Sequence, residues 1–98
     1  MFVALWEFEV KPGDEERFER AYGADGDWAE LFRSGRGYLE TRLARELGRS
    51  RVYMTIDAWE TREAYDGFKK EHAEEYARMD REFEGMTLSE RKIGEFES

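Results

Sequence analysis

The 98-residue sequence contains no cysteine, one proline and one histidine. Without cysteine the chain has no disulfide, no thiolate nucleophile, no iron–sulfur cluster and none of the common structural zinc sites. A lone histidine without a cysteine or a carboxylate cluster beside it argues against a metal site, because such sites need three or four converging ligands. We therefore expect no bound metal and a fold held together by packing alone.

Basic residues are outnumbered by acidic ones, with 16 Lys and Arg against 24 Asp and Glu and a net charge of −8. This balance repels phosphate backbones and anionic lipid headgroups, since those surfaces bind clustered Lys and Arg. The apolar N-terminus, residues 1–6, is followed at once by Glu7 and Glu9 and is too short to span a bilayer. We therefore expect a cytoplasmic protein with neither a nucleic-acid nor a membrane partner.

No glycine-rich loop leads into a helix, which excludes a P-loop and a dinucleotide-binding fingerprint. What the sequence does have is 40% hydrophobic and 15% aromatic residues, enough for the core of one domain spanning residues 1–98. Alternating apolar residues predict strands over 2–10, 37–47 and 51–60, with a fourth over 86–96. Capping residues and helical spacing predict three helices. Two are short, one beginning after Asp14 and one capped by Asp27, and the third is a long helix, roughly 62–83, that follows Thr61.

This order of elements is the split βαβ pattern of the ferredoxin-like fold, an α+β fold with a four-stranded antiparallel sheet. Helices cover one face of such a sheet. Here the first and third strands carry apolar side chains on both faces, and burying such a face stabilises by about 25 cal/mol per Å². The pattern therefore predicts a homodimer in which a second sheet covers the uncovered face.

Three segments resemble the antibiotic biosynthesis monooxygenase family: Trp6 to Gly13 (WEFEVKPG), Gly37 to Leu39 (GYL) and Asp57 to Tyr65 (DAWETREAY). The resemblance implies a dimeric α+β barrel with a cleft between sheet and helices in each subunit. Some members of the family oxygenate aromatic polyketides without a cofactor, others degrade haem, and others act on quinols or small aldehydes. The fold alone does not choose among these activities.

The haem-degrading branch carries an Asn on the first strand and a Trp and a His on the last helix. When the chain is laid over that branch, these positions hold Trp6, Phe68 and approximately Arg78. The mismatch argues against haem degradation, and the same overlay implies that Trp6 and Phe68 line the cleft.

Two residues of the last helix are the candidates for moving a proton. His72 lies in the middle of an apolar helical stripe and is the best single candidate, because its environment readily tunes its pKa for acid–base work. A lone histidine in such a stripe is, however, more often a hydrogen-bonded core residue. Tyr76, one turn further on, is the second candidate.

Aromatic side chains on the first strand and the last helix are the candidates for substrate binding: Trp6, Phe8, Tyr65 and Phe68. They would stack a planar aromatic substrate and exclude water, or they would pack as ordinary core. Arg42, in the middle of the second strand, would hold an anionic or enolate oxygen, or would pair with Glu40 or a carboxylate of a neighbouring strand.

The sequence leaves three functions open. The first is a cofactor-independent monooxygenase acting on an aromatic or quinone-like small molecule, whose enolate itself reduces dioxygen. The second is a non-catalytic dimer that binds or senses a small apolar ligand. The third is a module used only for assembly.

Overall fold

The computed structural model describes all residues of the chain, 1–98. It contains one antiparallel sheet, four α-helices and a short 3₁₀ turn. Their bounds are β1 Phe2–Val10, α1 Glu15–Tyr22, α2 Asp27–Phe32, β2 Tyr38–Arg45, β3 Val52–Trp59, α3 Arg62–Glu71, α4 Ala73–Phe83, the 3₁₀ turn Glu84–Met86, and β4 Thr87–Glu97.

The strands lie in the order β2-β3-β1-β4, and every neighbouring pair is antiparallel. β3 therefore inserts between β1 and β2, and β1 inserts between β3 and β4. This interleaving is the split βαβ topology, so the predicted ferredoxin-like α+β fold is confirmed.

One face of the sheet packs against the helices. Its central rows are the cross-strand pairs Phe2 with Trp59, Ala4 with Asp57, Trp6 with Thr55, and Phe8 with Tyr53. Because side chains alternate along a strand, these residues all point to the helical side. Aromatic rings from the helices complete the core there, namely Phe18, Tyr22, Trp28, Phe32, Tyr65, Phe68 and Phe83.

The helix starts agree only in part with the predicted caps. Thr61 caps α3 as predicted, since its Oγ1 accepts a hydrogen bond from the Ala64 backbone N–H at 3.0 Å. The predicted cap at Asp27 is wrong, because Asp27 is already helical and Gly26 holds the N-cap position. A Cβ at Gly26 would lie 2.3 Å from the Arg20 carbonyl oxygen, which explains why glycine stands there.

The predicted single helix over 62–83 is two helices that meet at His72. This residue leaves helical geometry, with φ −113° and ψ 31°. Its imidazole stacks on Phe68, with centroids 4.8 Å apart, and its Nδ1 lies 3.2 Å from a carboxylate oxygen of Glu75. The apolar spacing carries on across the break because only one residue departs from the helix, so the periodicity does not reveal it.

β2 contains a bulge that changes which residues share a face. Tyr38 pairs with Trp59 and Glu40 pairs with Ala58, which leaves Leu39 as the extra residue. Uniform alternation along this strand predicts that Leu39 and Thr41 share a face, and this prediction is wrong: Leu39 is 46% exposed, and Tyr38 joins Thr41 on the helical side. Uniform alternation fails here because a bulge shifts the side-chain parity by one.

The opposite face of the sheet is apolar at its centre, as predicted for β1 and β3. Val3, Leu5, Met54 and Ile56 are half-buried there, and Leu5 and Ile56 are cross-strand partners. Phe96, the β4 partner of Val3, is 51% exposed. The helices all pack on the other side. None of them combines the length and the apolar composition needed to span a membrane.

Candidate functional site

A cavity of about 220 Å³ lies between the sheet and the helices. Six of its lining residues are aromatic: Trp6, Phe8, Tyr22, Trp28, Phe32 and Tyr76. The other six are polar or charged: Thr41, Thr55, Asp57, Lys69, Asp80 and Glu90.

The cavity exists because the sheet carries small side chains beneath a ring of large ones. Thr41, Asp57 and Ala4 form one row across β2, β3 and β1. Thr55 lies in the next row, beside Trp6. These short side chains do not reach the helices, so the aromatic rings of α1, α2 and α4 surround a space instead of filling it.

Asp57 is the most unusual group in the cavity. It is only 8% exposed and makes no ion pair, and Thr41 Oγ1 is the only donor to it, bonded to Oδ1 at 2.7 Å. The Tyr38 hydroxyl lies 2.7 Å from the same Thr41 oxygen. Since Thr41 donates its single proton to Asp57, Tyr38 donates to Thr41, and the chain ends on the carboxyl with Oδ2 free of a protein partner.

Burial raises the pKa of Asp57 to about 6, and the hydrogen bond from Thr41 opposes this rise. At neutral pH the group is therefore mainly ionised but close to its point of titration. A carboxylate with these properties is a base matched to neutral pH.

This raised pKa predicts how stability depends on pH. The unfolded chain loses the Asp57 proton near pH 4 and the folded chain near pH 6. As pH rises between these values, the free energy of unfolding falls, and the loss amounts to about 3 kcal/mol above pH 6. Asp57→Asn removes this loss. We therefore expect its free energy of unfolding, measured in urea, to exceed that of the wild type by an amount that grows to roughly 1–3 kcal/mol as the pH rises from 4 to 7.

The matched control for that measurement is Asp66→Asn, which makes the same change on the exposed side of α3, where Asp66 faces Arg62 at 3.7 Å. Other carboxylates titrate equally in all three proteins, so the difference between wild type and variant isolates Asp57. An equal pH dependence for wild type and Asp57→Asn would contradict the raised pKa.

Two further polar groups of the lining are neutral donors. Burial raises the pKa of the Tyr76 hydroxyl far above its usual value, and the Tyr76 ring packs edge-on to Trp28 with centroids 5.0 Å apart. The indole Nε1 of Trp28 is buried near the Tyr22 hydroxyl but forms no well-formed hydrogen bond with it. Buried indole N–H groups normally find an acceptor, so this one is available to an oxygen atom of a ligand.

The predicted site residues divide into two groups. Trp6, Phe8 and Tyr76 line the cavity, and Trp6 lies 6.5 Å from Phe8 between ring centroids. Tyr65, Phe68, His72 and Arg42 are not part of its lining. The structure thus brings together the two β1 aromatics and one residue of α4.

Each of the other four has a different neighbourhood. Tyr65 and Phe68 are 2% exposed and pack against Trp59 at 5.8 Å and 5.2 Å between ring centroids. His72 is held by Phe68 and Glu75, as described above. Arg42 pairs with Ile56 in the sheet and so lies on the opposite face, where its Nε donates to Glu40 at 2.7 Å. Their positions do not support direct contact with a ligand in this cavity.

Sequence reasoning missed the charged lining residues Asp57, Lys69, Asp80 and Glu90. For Asp57 a signal was present. It is the only charged residue of β3 and lies on the same alternating face as Tyr53, Thr55 and Trp59, where a carboxyl must be buried. The other three carry no such signal, because acidic and basic residues on helices and edge strands are normally solvated.

These features define a class: a small ferredoxin-like α+β protein with an aromatic, partly charged cavity between its sheet and helices. The family model described as antibiotic biosynthesis monooxygenase matches residues 1–81. The chain therefore belongs to the antibiotic biosynthesis monooxygenase family.

Solved structures agree with the fold. A variant of SnoaB, a cofactor-independent oxygenase from Streptomyces nogalater, superposes with a TM-score of 0.81 at 18% identity, over 99% of this chain and 91% of that one. PA3566 from Pseudomonas aeruginosa superposes with a TM-score of 0.69 at 18% identity, over 99% of this chain and 92% of that one. At these identities the likeness concerns the fold. A comparison with curated protein sequences finds no match.

Proposed function

We propose that this protein is a cofactor-independent monooxygenase that oxidises a small, electron-rich aromatic molecule bound in the cavity. The observation that carries the proposal is the buried carboxyl of Asp57, which faces an aromatic cavity with one oxygen free of any protein partner. Family membership supports the same reaction class.

The chemistry needs a base and a dry, aromatic enclosure. Asp57 takes a proton from an activated CH₂ group beside a carbonyl or phenol, and the resulting carbanion is stabilised as an enolate. The enolate transfers an electron to dioxygen, and the radical pair combines to a hydroperoxide. Loss of water leaves a carbonyl, so that R₂CH₂ and O₂ become R₂C=O and H₂O, and the substrate supplies all the electrons.

Other lining residues fit particular tasks in this scheme. Trp28 donates its Nε1–H to the enolate oxygen as negative charge develops there. Tyr76 stays protonated and donates to the peroxide oxygen that leaves as water. Trp6 and Phe8 stack on the substrate ring and exclude water.

The cavity volume limits the size of the substrate. A dry cavity of about 150 Å³ takes up benzene, whereas pockets for drug-sized ligands begin near 300 Å³. The value of about 220 Å³ lies between them and favours one or two fused rings over a polycyclic skeleton. We therefore place bicyclic ketones of naphthol size, which carry such an activated CH₂ group, ahead of the tricyclic anthrones as substrates.

We expect such compounds to raise the melting temperature of the protein and, for the substrate, to consume one O₂ per molecule oxidised. The measurement is a thermal-shift screen of naphthols, tetralones, quinols and anthrones, followed by oxygen-electrode assays of each compound that binds. Binding without oxygen uptake by any bound compound would support the second candidate, a ligand-binding or sensing protein. No shift from any compound would contradict both and favour an assembly module.

We also propose that two copies associate through the apolar face of the sheet that the helices leave uncovered. Val3, Leu5, Met54 and Ile56 form the centre of that face, with Phe96 beside them. A second copy supplies an identical apolar face. A two-fold axis through the centre of the interface would bring the same residues of the two copies together. A cytoplasmic location stays a prediction.

A further inference from the structure

The charges lining the cavity are unbalanced. Three carboxyl groups contribute to the lining, Asp57 inside and the exposed Asp80 and Glu90 at its mouth, against a single ammonium group, that of Lys69. Although Glu90 is exposed as a residue, partial desolvation of its carboxyl raises its pKa, and the nearby charge of Asp80 raises it further. The two mouth carboxyls therefore repel each other and present a field of one sign to anything that enters.

The available cations do not neutralise this field. Lys69 lies over the Tyr65 ring, 4.7 Å from its centroid, and its positive charge acts to lower the pKa of Asp80. A second cation, Lys92, is 5.8 Å from the Trp6 ring centroid and forms an ion pair with Glu95. Neither forms an ion pair with Asp57 or Glu90.

The aromatic rings of the lining also favour a cationic ligand over an anionic one. The faces of Trp, Tyr and Phe rings carry partial negative charge and attract cations. A carboxylate buried without a counter-charge is costly, and a ligand that supplies the counter-charge recovers that cost. Asp57, with Oδ2 unpartnered, is such a carboxylate.

From this geometry we infer that the cavity selects its aromatic ligand by charge: it prefers a ring carrying a protonated amine, accepts a neutral ring and rejects a ring carrying a carboxylate. Asp57 is the partner of the ammonium group, and Asp80 and Glu90 are the residues that exclude anions at the mouth. The inference rests on the proposed function only in assuming that a ligand occupies this cavity.

The test uses three naphthalene probes of nearly equal size: naphthylmethylammonium, naphthylmethanol and naphthoate. Calorimetric titration at low salt is expected to rank them in that order, with the ammonium probe binding at least about tenfold more tightly than naphthoate. Raising the salt from about 50 mM to about 500 mM should reduce the ratio of the ammonium-probe affinity to the naphthoate affinity. The reason is that the charges of the mouth residues are exposed to solvent and are therefore screened by salt.

Variants assign the selection to individual groups. Asp80→Asn combined with Glu90→Gln should strengthen naphthoate binding about three- to tenfold, since both mouth charges are removed. Asp57→Asn should weaken the ammonium probe about tenfold. Binding of naphthylmethanol should stay within about twofold in the mouth variant, because a neutral ligand is insensitive to the loss of two charges that it does not contact. Glu74→Gln combined with Glu82→Gln is the matched control, which removes two charges from exposed positions of α4 outside the lining.

The possible failures separate cleanly. If naphthylmethanol binds and naphthoate binds as tightly as the ammonium probe, the charge inference is overturned while the proposed ligand site stands. The same holds if the α4 control strengthens naphthoate binding as much as the mouth variant does. If none of the three probes binds, both the inference and the proposed function are overturned.

Discussion

Asp57→Asn is expected to lower the rate of substrate-dependent oxygen consumption by about 10² to 10⁴-fold, the usual contribution of a positioned base. Asparagine keeps the shape of the side chain and can still accept the hydrogen bond from Thr41, so the cavity is preserved. What is lost is the ability to take a proton. Affinity for a neutral aromatic ligand should change little, which separates a loss of chemistry from a loss of binding.

The pH profile gives this prediction its second readout. With Asp57 as the base, kcat/KM of the wild type rises about tenfold per pH unit below about 6 and levels off above it, because only the ionised carboxylate accepts the proton. Asp57→Asn should lose this step along with the activity, and Asp66→Asn should keep both. Full activity in Asp57→Asn, with the wild-type profile, would remove Asp57 from the mechanism.

Ile56→Glu is expected to prevent the proposed association of two copies and to leave the protein monomeric. Ile56 is the cross-strand partner of Leu5 at the centre of the uncovered sheet face, and in a single chain it is only half-buried. A glutamate there remains hydrated in a monomer but would be buried beside its symmetry mate in the proposed interface. Burying a pair of like charges costs several kcal/mol, more than such an interface tolerates.

Light scattering coupled to size exclusion measures the outcome. The wild type should show twice the chain mass of 11.7 kDa, and Ile56→Glu should show the single-chain mass with an unchanged circular-dichroism spectrum. Leu47→Glu is the matched control, since Leu47 is 96% exposed at the β2–β3 hairpin and lies off the sheet face. A wild type that runs as a monomer at micromolar concentration would refute the proposed dimer outright.

The cavity and the apolar sheet face lie on opposite sides of the same strands. Trp6 and Leu5 are neighbours in sequence, yet one lines the cavity and the other belongs to the uncovered face. Because each strand contributes to both surfaces, association of two copies would stiffen the floor of the cavity. The Ile56→Glu monomer therefore also reports whether the activity needs that support.

Much of the fold could be predicted from the sequence because strand alternation and turn residues are local signals. The β1 pattern and the Thr61 cap are examples, and together with the element order they define the ferredoxin-like topology. The break at His72 and the bulge at Leu39 could not be predicted. Each changes the geometry of one residue only, and neither position carries a proline or glycine that would mark it in the sequence.

The candidate site could be predicted only in outline. Trp6, Phe8 and Tyr76 were recognisable as aromatic residues facing the helical side, and all three line the cavity. Phe68 and His72 satisfied the same helical spacing but face the core and the helix junction. Helical spacing fixes which residues share a stripe but not where along that stripe a cavity opens.

The sequence by itself determined the class of fold, the two-sided apolar character of β1 and β3, and the excess of negative charge, since all three depend on residue type and order along the chain. Only the tertiary structure decided that Thr41, Asp57 and Ala4 form one row, that this row of short side chains leaves a cavity, and that its carboxyl has a single hydrogen-bond donor. Those residues lie on three different strands, and the distance between them is set by strand register and packing, which a linear pattern does not contain.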